Sequence, residues 1–140
     1  MTSVKKFSAV ILSAALFPAG GCFFSSSDPD PPLAQNTTVI DGTLIVDWSI
    51  SRTTDPAQCQ QGGARTIDII ITGAGGGEFI QECGVFATSI SLPPGVYGGT
   101  AVLLDDRGAS RTTAVQLGSF EIFGGDKLTI PIDFPASSFR

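Results

Sequence analysis

The sequence predicts an all-β domain: a single antiparallel β-sandwich of about seven short strands. Three observations lead there. Apolar residues alternate with polar ones in period two over most of the chain after residue 38, the pattern of half-buried strands. No stretch sustains the 3.6-residue period of an amphipathic helix. The segments are separated by Gly, Pro and Asp clusters that make tight turns.

The strands follow in order. Leu44, Val46, Trp48 and Ile50 share one face, with Asp47 and Ser49 opposite. Ile67, Ile69 and Ile71 repeat the pattern between Thr66 and Thr72. Phe86, Thr88, Ile90 and Leu92 form another face. Tyr97, Gly99, Ala101 and Leu103 form the next, with Val102 and Leu104 making that strand apolar on both sides. Val115 and Leu117, then Phe120 and Ile122, describe one strand with a bulge or bend near Gly118. Leu128, Ile130, Ile132 and Phe134 close the series. Pro131 among them requires an edge or a bulge, because proline has no amide hydrogen to give a neighbour. Trp48 reads as core rather than as a ligand platform.

Length and composition bound the rest. The chain of 140 residues fits one domain. At 42% hydrophobic and 15% charged it is too apolar for a disordered protein. Its net charge of −5 excludes a nucleic-acid partner, since nothing offsets a row of phosphates. With no histidine there is no Ser–His or Cys–His dyad and no imidazole metal ligand. Gly73–Gly77 (GAGGG) lacks the Gly-Lys-Ser/Thr of a phosphate loop and opens no helix, so it reads as a flexible hairpin tip. The expectation is a non-enzymatic protein with no cofactor.

The first residues form an address. Lys5 and Lys6 precede an apolar run, Phe7 to Phe17, of about 11 residues, too short for a bilayer span, which takes roughly 20. Ala19-Gly20-Gly21-Cys22 follows. This register of charge, apolar run, small residues and cysteine resembles the lipobox signal of bacterial lipoproteins. Ala19 departs from the leucine usual in that family. The resemblance implies residues 1–21 as a cleaved signal, acyl chains on Cys22, and a protein held on a membrane without spanning it. Phe23 rather than Asp after the cysteine implies the outer membrane. The alternative is ordinary cleavage that leaves a free Cys22. Cleavage before Cys22 lowers Lys+Arg from 8 to 6 against 13 Asp+Glu, a net charge of −7.

Residues 22–38 carry Ser, Asp and Pro, with Asp28-Pro29-Asp30-Pro31-Pro32 favouring extended backbone. They read as a tether reaching up to about 50 Å, with Phe23 and Phe24 dipping into the headgroups. Residues 39–140 are the sandwich. Within it, Leu92-Pro93-Pro94-Gly95-Val96-Tyr97 resembles the turn of transthyretin-like and carboxypeptidase-regulatory-like modules. That resemblance implies a prealbumin-like or immunoglobulin-like sandwich in which the aromatic plugs the core.

Two side-chain pairs stand out. Cys59 and Cys83 remain once Cys22 is set aside, and in an oxidising exported setting they are expected to form a disulfide. It would join the Asp55–Gly63 loop to the end of the third strand, closing a loop of about 25 residues for roughly 3.5 kcal/mol. Asp105-Asp106 is the one adjacent acidic pair of the domain. A hairpin turn before Arg107-Gly108 and a weak calcium site both fit it. Asp55, Asp68, Glu78, Glu82, Glu121 and Asp126 read as a solvated scatter. The functional expectation is a lipid-anchored cell-envelope protein, structural or protein-binding, whose partners are the membrane through Cys22 and an envelope protein or glycan. The alternative is a carbohydrate- or peptide-binding accessory domain. A further idea is edge pairing with a partner strand at Val102–Leu104 or at Pro131.

Overall fold

The computed structural model of the protein describes residues 37–140. The signal segment 1–21, Cys22, Phe23, Phe24 and the tether up to residue 36 lie outside the described residues. Among those described, eight strands form two sheets. The strands are β1 (Gly42–Ile50), β2 (Thr66–Thr72), β3 (Gly77–Glu82), β4 (Ala87–Leu92), β5 (Gly95–Leu104), β6 (Val115–Gln116), β7 (Phe120–Ile122) and β8 (Lys127–Phe134). A helix, α1 (Pro56–Gln61), lies between β1 and β2, and single 3-10 turns occupy Cys83–Val85 and Ala136–Ser138.

The three-stranded sheet has the order β4-β1-β8, and the five-stranded sheet runs β3-β2-β5-β6 with β7 also on β5. This is the expected all-β sandwich. β6 and β7 are the two halves of the strand expected to bend near Gly118, where φ is +76°. One pair departs from the antiparallel expectation: β1 and β8 run parallel, with Leu44 opposite Leu128 and Ile50 opposite Phe134. The chain path explains it. The Phe123–Asp126 turn packs on the start of β1, through Thr43 N to Asp126 O at 2.8 Å and Gly125 N to Asp41 O at 3.0 Å. It therefore delivers β8 beside β1 at the same end. β8 is a sheet edge, as Pro131 requires.

Alternation builds the core as the sequence implies. Leu44, Val46, Trp48 and Ile50 face Ile67, Ile69, Ile71 and Leu103, all buried. Each such side chain contributes about 1.5–3 kcal/mol over an exposed one. Pro93-Pro94 carries the chain from β4 in one sheet to β5 in the other. Just beyond it Tyr97 turns inward, 3% exposed. Its single hydroxyl proton is shared between the carbonyls of Pro93 (2.7 Å) and Ala74 (2.8 Å), and its ring stacks on Phe120 with centroids 5.9 Å apart. The Gly73–Gly77 segment is the β2–β3 hairpin connection, and it is packed rather than slack. A Cβ at Gly73 (φ +131°) would lie 2.7 Å from the Tyr97 ring. Only glycine takes that backbone at that distance.

The expected Val102–Leu104 edge does not exist. β5 lies between β2 and the β6/β7 strand. Beyond β6 its backbone is taken by Thr112 Oγ1, which accepts from Leu103 N at 3.1 Å, and by Arg111 N, which donates to Leu103 O at 2.7 Å. The edges of the five-stranded sheet are β3 on one side and the β6/β7 strand on the other.

Candidate functional site

The cysteine pair is a disulfide. Cys59 on α1 and Cys83 just after β3 are bonded, with Cα atoms 6.1 Å apart. Both residues are buried. α1 forms where the sequence predicts a loop. Asp55 caps it, accepting from Ala57 N at 2.9 Å, Pro56 takes the first turn and Gly62 closes it, each in a position that suits its chemistry. Six residues are too few to display a helical period. The indole of Trp48 donates to the Cys83 carbonyl at 2.8 Å, so the staple fastens α1, β3 and β1 together. The cleft beside it, about 380 Å³, is lined by Pro56, Gln60, Arg65 and Glu82 among others.

The Asp105-Asp106 segment is a turn. Asp105 Oδ1 accepts from the amides of Arg107 and Ala109, both at 2.9 Å, and the Asp105 amide donates to Ala109 O at 2.9 Å. Gly108 sits at φ +78°. The Ala109 and Arg107 amides hold the Asp105 carboxyl below the ordinary carboxylate value, because they favour its charged form. Among the described residues no three His, Cys, Asp or Glu side chains converge as a metal-ligand set.

The geometry singles out a residue that in sequence looks like one more solvated acid. Asp68 lies mid-way along β2, on the outer face of the five-stranded sheet, because its neighbours Ile67 and Ile69 point into the core. Directly opposite it stand Ile80 on β3 and Val102 on β5. Ile70 follows on the same face, and Leu104 lies opposite Thr66 one row along. These neighbours cover Asp68 until it is 9% exposed. Its Oδ1 is buried with no hydrogen-bond partner. Burial first, then the charge of Glu78, push its pKa up, both acting against the charged form. Ile70 and Ile80 meanwhile remain 42% and 53% exposed. The face thus holds a desolvated carboxyl inside an apolar ring, with Glu78 and Glu82 along the β3 rim.

Of the residues that the sequence marks as candidates, Cys59 and Cys83 are brought together, Asp105 is tied into its own turn, and Cys22 lies outside the described residues. Asp55 is a helix cap. Asp68 was legible in one respect: Ile67-Asp68-Ile69-Ile70-Ile71 puts one acid inside an otherwise apolar run. Such an acid faces water only if the outer face is polar, and Ile80, Val102 and Leu104 across the strands decide that it is not. No family model matches the chain, and no curated protein matches it in sequence.

Proposed function

We propose that the protein is a lipid-anchored cell-envelope module that binds another protein through its β-sandwich and performs no catalysis. The observation that carries the binding role is the outer face of the five-stranded sheet. Ile70 and Ile80 are exposed there at 42% and 53%, Ile80 on the β3 edge strand itself and Ile70 on β2 beside it. Exposed apolar surface next to an unpaired strand is what a protein interface uses. A glycan platform is less well supported, since Phe123 is the one strongly exposed aromatic among the described residues.

The anchor rests on the lipobox-like Ala19-Gly20-Gly21-Cys22 and on the acyl-chain arithmetic that two chains hold a protein firmly where one does not. Among the described residues no helix is long and apolar enough to cross a membrane. The test is intact mass, membrane fractionation and a free-thiol count on the full chain expressed in a Gram-negative host. A membrane-bound species starting at Cys22 with added acyl mass is the expected result. A soluble species with a free Cys22 thiol overturns the anchor.

A further inference from the structure

The interface face has a feature that an ordinary apolar patch lacks. Asp68 occupies its centre, and an unpaired buried carboxyl is costly unless an opposite charge or a donor meets it. For Oδ1 the described residues supply neither. Burial and Glu78 both act against ionisation, and no cation among them contributes in the other direction. The cross-strand neighbours that should neutralise an acid are Ile80 and Val102, roughly 4.5–5.5 Å away between Cβ atoms.

The other sheet shows what a satisfied acid looks like in this molecule. Asp133 on β8 also faces outward, and its Oδ1 accepts from Ser49 Oγ at 2.6 Å and from Arg52 N at 2.7 Å. Asp68 has the same chemistry on an internal strand, β2, where it is more deeply buried and its Oδ1 is unpaired. A second carboxylate, Glu78, stands on β3 one row away, opposite Ile70.

We propose that the outer face of the five-stranded sheet receives a lysine or arginine side chain of a partner protein, whose charged head meets Asp68 and Glu78 and whose stem lies over Ile80 and Val102. The charge complementarity fixes the head. The apolar ring fixes the stem, because long basic side chains lay their methylenes on apolar surface and keep the charge at the tip. A bare ammonium or a metal ion would satisfy the carboxylates and leave Ile70 and Ile80 wet. A purely apolar partner would bury Asp68 more deeply without pairing it. A basic side chain set among small apolar residues does both tasks, and a charge-assisted bond formed away from water is the strong kind. This deepens the protein-binding reading and rests on it.

The experiment is site-specific photocrosslinking with the full chain in the cells that express it. A photoreactive phenylalanine replaces Glu82, on the rim of this face, or Ser89, on the outer face of the other sheet. Each is combined with wild-type Asp68 or with Asp68→Asn. The expected result is one protein adduct from position 82, with Lys or Arg in the crosslinked peptide, and a yield that drops about tenfold or more in Asp68→Asn. Thermal melts of the same variants show that Asp68→Asn stays folded. The proposal is overturned by an adduct indifferent to Asp68→Asn, by a crosslinked peptide without a basic residue, or by a lipid, glycan or second copy of this chain at position 82. Protein captured from position 89 but not from 82 leaves the binding module standing and removes this face. No adduct from either position removes both.

Discussion

The outer faces of the two sheets are built on the same alternation and end in opposite states. On the three-stranded sheet the outward residues of β4 and β8 are Ala87, Ser89, Ser91, Lys127, Thr129, Pro131 and Asp133. Asp133 is doubly bonded and helps hold the Ser51-Arg52 turn, where both residues sit at positive φ (50° and 64°). On the five-stranded sheet the outward residues include Ile70, Ile80, Val102 and Leu104, with Asp68 among them and its Oδ1 unpaired. On the three-stranded face the Asp133 carboxyl is satisfied within the chain. The other face leaves the buried Asp68 Oδ1 without a partner beside exposed Ile70 and Ile80.

The largest test of that contrast is the staple. Cys83 follows β3 directly, so reduction or Cys59→Ser with Cys83→Ser releases the strand that carries Ile80 and Glu78. Denaturant unfolding is expected to show a loss of about 3 kcal/mol. Hydrogen exchange should rise in β3 and α1 well before the β1–β8 ladder. Uniform loosening of both sheets would show that the disulfide braces the whole sandwich and not one face.

Next come two aspartates with opposite signs. Asp133→Ala removes the acceptor for a hydroxyl and a backbone amide and should destabilise by about 1–3 kcal/mol. Asp68→Leu removes a buried carboxyl whose Oδ1 has no partner and should stabilise by a similar amount, about 1–3 kcal/mol. Paired thermal melts decide this. A destabilised Asp68→Leu would mean that the fold itself uses the Asp68 carboxyl. A smaller effect comes from supplying the missing cation. Ile80→Lys places an amine opposite Asp68 and should add about 0.2–1 kcal/mol at neutral pH, and it should abolish the crosslink from position 82.

How legible this was depends on the range of the interactions. Strands such as Leu44–Ile50 and Leu128–Phe134 write their burial into their own alternation, and the bend near Gly118 was visible for the same reason. Cys59 and Cys83 paired by elimination. The parallel β1–β8 pair was not visible, because it depends on where the Phe123–Asp126 turn docks and not on either strand. α1 was signalled only by Asp55-Pro56, a cap and a first-turn proline, too little to set against a loop. Asp68 was missed for a related reason. Alternation says which residues face out, and only cross-strand register says whether outward means water.

The smallest expected effect is the pH dependence, and it separates two aspartates with opposite shifts. Asp68 has its pKa raised by burial and by Glu78. In the window between the ordinary carboxylate value and that raised value, the native state holds a proton that the unfolded chain releases. Stability from this group is therefore full below the window and falls as pH rises through it. Asp105 has its pKa lowered by the Ala109 and Arg107 amides. Its contribution is present above the ordinary value and is lost as pH falls through the lowered one. Urea titrations across acid pH should show the first slope vanish in Asp68→Asn while the second persists, and the reverse in Asp105→Asn. If Asp68→Asn leaves the slope unchanged, Asp68 already carries its charge with a partner inside the chain, as Asp133 does on the other sheet.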